Sequence, residues 1–153
     1  TSEDLGCGCG NPQAQAGYDC DGNSLQVLEI GALMNGGIVF QINEDGTGLV
    51  ADLQDLGQIS YGMSWYNAMS AAPSATSQGY DDWFLPSIEE LELMYNTIGN
   101  GGPEGNIGGF TETLYWSSSE SPNGNAWGLS FTVGTHIDSG KNGTVKVRVI
   151  RAF

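Results

Sequence analysis

The sequence predicts an α+β domain: two helices, antiparallel strands and long loops. Three observations lead there. Asp81–Asn96 contains a capped amphipathic helix signal, Gly37–Leu53 reads as a β-hairpin of two apolar runs around the turn chemistry of NEDGTG, and 24 glycines in 153 residues imply many tight turns. The predicted order is hairpin, helix, helix, then three or more strands. Segregated helices and strands indicate α+β, not a parallel βαβ sheet.

The stretch DDWFLPSIEELELMYN organises the rest. Ser87 and Glu90 form an S-x-x-E capping box, in which the hydroxyl takes the N3 amide and the glutamate reaches back to the Ser87 amide. A helix therefore starts at Ile88. Ile88, Leu91, Met94, Tyr95 and Ile98 recur on one face, and Glu89, Glu90 and Glu92 crowd the end favoured by the macrodipole. Gly99 is expected to close it in the left-handed conformation.

Residues 1–35 read as a cysteine- and glycine-rich linker or cap, and residues 36–153 as the main domain. All three cysteines lie early. Cys7 or Cys9 can pair with Cys20, leaving one thiol over, and three thiols with one distant histidine make a poor zinc set. Asp19, Asp21 and Asn23 alternate like the opening of a calcium loop, but Ile30 stands where the closing glutamate belongs, and an Asx-rich turn is the competing reading.

GGIVFQI and GLVADL form the hairpin, with Asp45 and Gly46 at its tip. In SWYNAMSAA, Ser64 is the expected N-cap of a first helix, with Trp65, Ala68, Met69 and Ala72 on one face. Leu114–Glu120 is a strand whose serine run forms a wet face, and AWGLSFTVG is a strand with Trp127, Leu129 and Phe131 on one side. HIDSGKNG reads as a loop. In the closing TVKVRVIRAF, Val145, Val147 and Val149 face one way and Lys146, Arg148 and Ile150 the other.

Charge narrows the function. The net charge is −14, with 18 acids against four bases, and all four bases lie in the last 13 residues. Nucleic acid and anionic membrane are poor partners for such a surface. No apolar run approaches the roughly 18 residues that span a bilayer, so membrane insertion is not expected, and TSEDLG reads as a cut or a mature terminus.

GGIVF, GLVA, SWYNA, GYDDWFLPSIEELELMYN, YWSSSE and KVRVIRAF occur in an order that resembles the C-terminal domain of the collagen-like adhesin Lcl and its relatives. W-x-L-P-S-x-x-E-L, Y-W-S-S-S-E and V-R-x-I-R carry the resemblance from about Gly36 to Phe153. It implies a C-type-lectin-like fold, distantly related to formylglycine-generating enzymes. It also implies a non-catalytic recognition domain, extracellular, on a cell surface or on a virion such as a phage fibre, whose partner is a surface glycan or protein.

Two loops carry the candidate ligand-binding residues: Glu120, Asn123, Asn125 and Trp127 in the first, and His136, Asp138, Lys141 and Asn142 in the second. Amides and carboxylates suit paired sugar hydroxyls, and an aromatic face suits the ring. No cofactor is required on this reading, with calcium left open. Trp83 and Trp116 are expected in the core. Arg148 and Arg151 are expected in structural ion pairs, with Asp81, Asp82 and Glu90 as candidate partners.

Catalysis has little to work with. His136 is the single histidine and would have to serve Ser117, Ser118 or Ser119, and no cysteine follows Cys20, so the formylglycine-generating chemistry does not carry over. The alternative is a structural subunit or cap of an extracellular fibre or filament, a homo-oligomer assembling through self-contacts. Copies that each carry −14 repel one another, which weighs against it.

Overall fold

The computed structural model describes residues 27–58 and 61–153. Among these residues it has seven strands and two α-helices. In chain order they are β1 Leu33–Met34, β2 Gly37–Ile42, β3 Gly48–Ala51, α1 Trp65–Ala71, α2 Ile88–Ile98, β4 Leu114–Glu120, β5 Ala126–Ser130, β6 His136–Ser139 and β7 Ile150–Ala152. Two antiparallel sheets result, in the orders β1-β2-β3-β7 and β4-β5-β6. The α+β class is as the sequence predicts. Cys7, Cys9, Cys20, Asp19, Asp21 and Asn23 lie outside the described residues.

The β2–β3 hairpin forms with Asp45 and Gly46 at its tip. Asp45 Oδ1 accepts from the Thr47 amide and hydroxyl, a local Asx turn that reverses the chain. β1 adds to this hairpin from the 1–35 side of the expected boundary, pairing Leu33 with Ile38. The closing segment divides its side chains as the alternation demands. Val145, Val147 and Val149 enter one core cluster with Trp65, Trp83 and Trp116, while Ile150 enters another with Phe40, Leu91, Met94, Ile98 and Leu129. Trp83 and Trp116 are core residues, as expected.

Helix α2 begins as the capping box requires. The Glu90 amide donates to Ser87 Oγ at 3.1 Å, and the Ser87 amide to Glu90 Oε1 at 2.8 Å. A third amide, from Ile88, reaches Ser119 Oγ at 3.0 Å and ties the helix start to β4. Its end differs from expectation. Gly99 is extended, at φ −100°, and not left-handed. Glycine is needed there for a different reason: a Cβ would stand 2.8 Å from Tyr95 Cα, because the chain doubles back against the last turn.

Three further expectations are corrected. Met69 is exposed, since α1 has only seven residues and buries Trp65 and Ala68 on its narrow inner face. The serine run of β4 is not a wet face, because Ser117 is buried and its hydroxyl donates to the Trp127 carbonyl. His136–Ser139 is a strand and not a loop: it pairs with β5 from Ala126↔Ser139 to Leu129↔His136. The true loop is the turn at 140–143, closed by Gly143 N–H on Gly140 O at 3.0 Å.

Candidate functional site

Pairing β5 with β6 carries Asp138 opposite Trp127, next to the turn that joins β4 to β5. Gly124 takes φ +79° in that turn, a region glycine enters without a Cβ penalty. Ser121 Oγ donates to Asp138 Oδ1 at 2.9 Å, and Asn123 Nδ2 to Asp138 Oδ2 at 2.8 Å. The hydrogen bonds from Asn123, then Ser121, with a smaller one from Asn125, hold the Asp138 carboxyl below its ordinary range. One carboxylate thus clasps the whole turn 121–125.

The turn at 140–143 is fixed from the other side. The Trp65 amide donates to Lys141 O at 2.9 Å, which sets this turn on the first residue of α1. Lys141 Nζ lies 2.6 Å from Glu120 Oε2 and 4.4 Å from the centre of the Trp65 ring, with Tyr66 at 5.8 Å. Trp65 itself is buried and anchored by its Nε1–H to Ser117 O at 2.9 Å. Tyr66 projects from it, edge to face at 5.7 Å and 55 % exposed.

The structure therefore brings Asn123, Asn125 and Asp138 together in one cluster and Glu120 and Lys141 in another, and to the second it adds Trp65 and Tyr66, which the sequence assigns only to a helix. Asn142 is exposed in the adjoining turn. Trp127 is half-buried against the α2 side of the core. His136 stands apart: its Nε2 lies 3.1 Å from Glu92 Oε2 in an exposed pair, and its ring is 6.2 Å from Trp127. Exposed pairs of this kind contribute about 0–1 kcal/mol. Of the three serines that His136 would have to serve, Ser117 is engaged on a backbone carbonyl and Ser119 on the amide of Ile88.

All four Lys and Arg side chains of the chain are ion-paired within it. Lys141 meets Glu120, Arg151 meets Asp82 at 2.7 Å, and both Arg148 and Lys146 meet Asp55, at 2.9 and 3.4 Å. The Arg151–Asp82 pair uses an expected partner, whereas Arg148 does not draw on Asp81, Asp82 or Glu90. Among the described residues no three His, Cys, Asp or Glu side chains gather as a metal site.

Asp55 also accepts from Tyr115 Oη at 2.8 Å. Burial, and then the nearby Asp55 charge, push the Tyr115 phenol up to about 12. An unfolded tyrosine ionises near pH ~10, so above that pH the unfolded state sheds a proton that the folded state still holds. Unfolding is therefore favoured progressively from about pH 10 towards pH 12. Urea midpoints measured across that range are expected to fall more steeply for the native chain than for Tyr115→Phe, and parallel slopes would remove the assignment.

A family model, the Lcl C-terminal domain, matches residues 41–151, from within β2 to within β7. The chain belongs to the Lcl C-terminal domain family. A search of curated proteins finds no match. In this Lcl C-terminal domain the matched span contains both helices, the Asp138 clasp and the Lys141 bridge, so the candidate surface is built entirely from family sequence.

Proposed function

We propose that this Lcl C-terminal domain is a non-catalytic recognition module of an extracellular or cell-surface protein. It binds a glycan or protein through the face formed by residues 120–125, Asp138, the turn at 140–143 and the start of α1. The observation that carries this reading is the double tethering of the face, by Asp138 on one loop and by Lys141 between Glu120 and Trp65. Polar groups held in place before binding lose little entropy on binding, which favours specific recognition. Tyr66 supplies an exposed ring beside them, the amphipathic surface that a sugar ring stacks on.

The paired cations support a neutral ligand. With every Lys and Arg already neutralised by a carboxylate, no free positive side chain remains to hold a sulfate or phosphate. The engagement of Ser117 and Ser119 and the pairing of His136 with Glu92 support the non-catalytic assignment.

The purified chain is expected to be retained on a subset of neutral glycans or on a cell surface, and not on their sulfated counterparts. Tyr66→Ala and Asn123→Ala are each expected to reduce retention about tenfold or more, the scale of one lost stacking or polar contact. Trp127→Ala and Asn125→Ala test the remainder of the face. Retention that all four variants leave unchanged would place recognition elsewhere. Sedimentation of the same material separates this reading from the fibre-subunit alternative, which requires assemblies.

A further inference from the structure

A second concavity lies outside the loop face and shares no residue with it. It is a cleft of about 400 Å³ lined by Asp52, Gln54, Asp55, Ala75, Thr76 and Ser77 among others. Such a volume falls within the roughly 300–1,000 Å³ of small-molecule sites. Its two carboxylates differ in kind. Asp55 is fully engaged by Arg148, Lys146 and the Tyr115 hydroxyl.

Asp52 is not. It is 1 % exposed, and its Oδ1 accepts from the Leu53 amide at 2.7 Å and from Ser77 Oγ at 2.9 Å. Its Oδ2 is buried and accepts no hydrogen bond among the described residues. Arg148 donates its Nη1 to the Asp52 main-chain oxygen and not to the carboxylate. A buried carboxylate oxygen without a donor is costly and rare, and it calls for a group that the described residues do not provide.

We infer that the Asp52 cleft is a binding site for a small hydroxyl- or amine-bearing molecule of monosaccharide size, one of whose O–H or N–H groups donates to Asp52 Oδ2. The lining fits that class. Gln54, Thr76 and Ser77 offer further donors and acceptors, and Ala75 and Leu56 add apolar contact. With two carboxylates in the wall and every cation paired, an acidic sugar is disfavoured.

The test is a titration of the full ¹⁵N-labelled chain, followed by amide NMR, with D-glucosamine, N-acetyl-D-glucosamine and D-galactose. Sodium glucuronate and calcium chloride are the controls. Saturable shifts are expected for the amides of Leu53, Gly57 and Ser77 with at least one of the three sugars, and not with glucuronate. Asp52→Asn keeps the Oδ1 contacts but presents an NH₂ where the ligand donates, and is expected to weaken binding at least tenfold. Thr76→Trp closes the exposed rim without touching Asp52, and is expected to abolish the shifts while the rest of the spectrum is preserved. Three outcomes overturn the inference: no saturable shift with any sugar, shifts that survive both substitutions, or a response to calcium alone. Loss of loop-face retention in the Tyr66→Ala and Asn123→Ala variants is independent of these results.

Discussion

Replacing Arg148 with alanine is expected to destabilise the domain by about 3–5 kcal/mol, the range for breaking a buried ion pair from one side. Arg148 is 1 % exposed, and its guanidinium is hydrogen-bonded through Nε, Nη1 and Nη2. Nε donates to Asp55 Oδ1 at 3.0 Å, Nη1 to the carbonyls of Asp52 at 3.0 Å and Gly108 at 2.7 Å, and Nη2 to Gly109 O at 3.2 Å. Its carbon lies 4.4 Å from the centre of the Phe110 ring. One side chain therefore joins the turn after β3, the glycine-rich loop before β4 and the closing segment. Truncation strands those carbonyls and leaves Asp55 with only Lys146 and Tyr115. Urea unfolding monitored by tryptophan fluorescence measures the loss. Arg148→Lys keeps the charge but cannot present a planar fork, so it is expected to recover only part of the stability. An alanine variant within about 1 kcal/mol of the native chain would show that the network is incidental.

That network also marks where the sequence stops being legible. The α2 capping box was readable because its two partners are three residues apart, and the hairpin because its turn chemistry is local. Asp82 was readable as a partner of Arg151 because it sits in a motif segment rich in acids beside core aromatics. Asp55 was not. It lies 93 residues from Arg148 in sequence, in a short turn with no periodicity, and it is the β3–β7 pairing, continued by the Asp52 amide on Val149 O and the Leu56 amide on Val147 O, that brings them together. Strand β6 was missed for a related reason. HIDS has weak strand propensity, and as an edge strand its identity comes from pairing with β5 and not from its own composition.

The candidate face shows the same division. Its loop residues were legible because amides and carboxylates cluster between glycines. Their grouping was not, because it depends on the register of β5 with β6, which places Asp138 and not His136 beside the 121–125 turn. A one-residue slip would send Asp138 to the opposite side of the sheet and dissolve the clasp. Tyr66 was hidden by a simpler effect. In sequence it is one more aromatic in a helix, and only the burial of Trp65 beneath it shows that it points outward.

Trp65 is the joint on which that face turns, and Trp65→Ala is expected to cost about 3–5 kcal/mol, the range for emptying a buried large aromatic site. The ring fills the second core cluster beside Ala68, Trp116 and Ala126, its Nε1–H holds β4 through Ser117 O, and its outer surface carries Lys141. Trp65→Phe separates these roles. It retains much of the buried area and an aromatic surface for Lys141, but leaves Ser117 O without its donor, a loss of about 1–3 kcal/mol. The two substitutions should therefore differ in function as well as stability. With Phe in place, Lys141 still bridges Glu120 to a ring, and ligand retention should stay close to that of the native chain. With Ala in place, Lys141 loses its platform and the 140–143 turn loses its seat, so retention should fall even at temperatures where circular dichroism shows the domain folded. Equal retention by the folded alanine variant would mean that the turn is held by the Lys141–Glu120 contact and its backbone alone, and that the aromatic beneath it serves the core only.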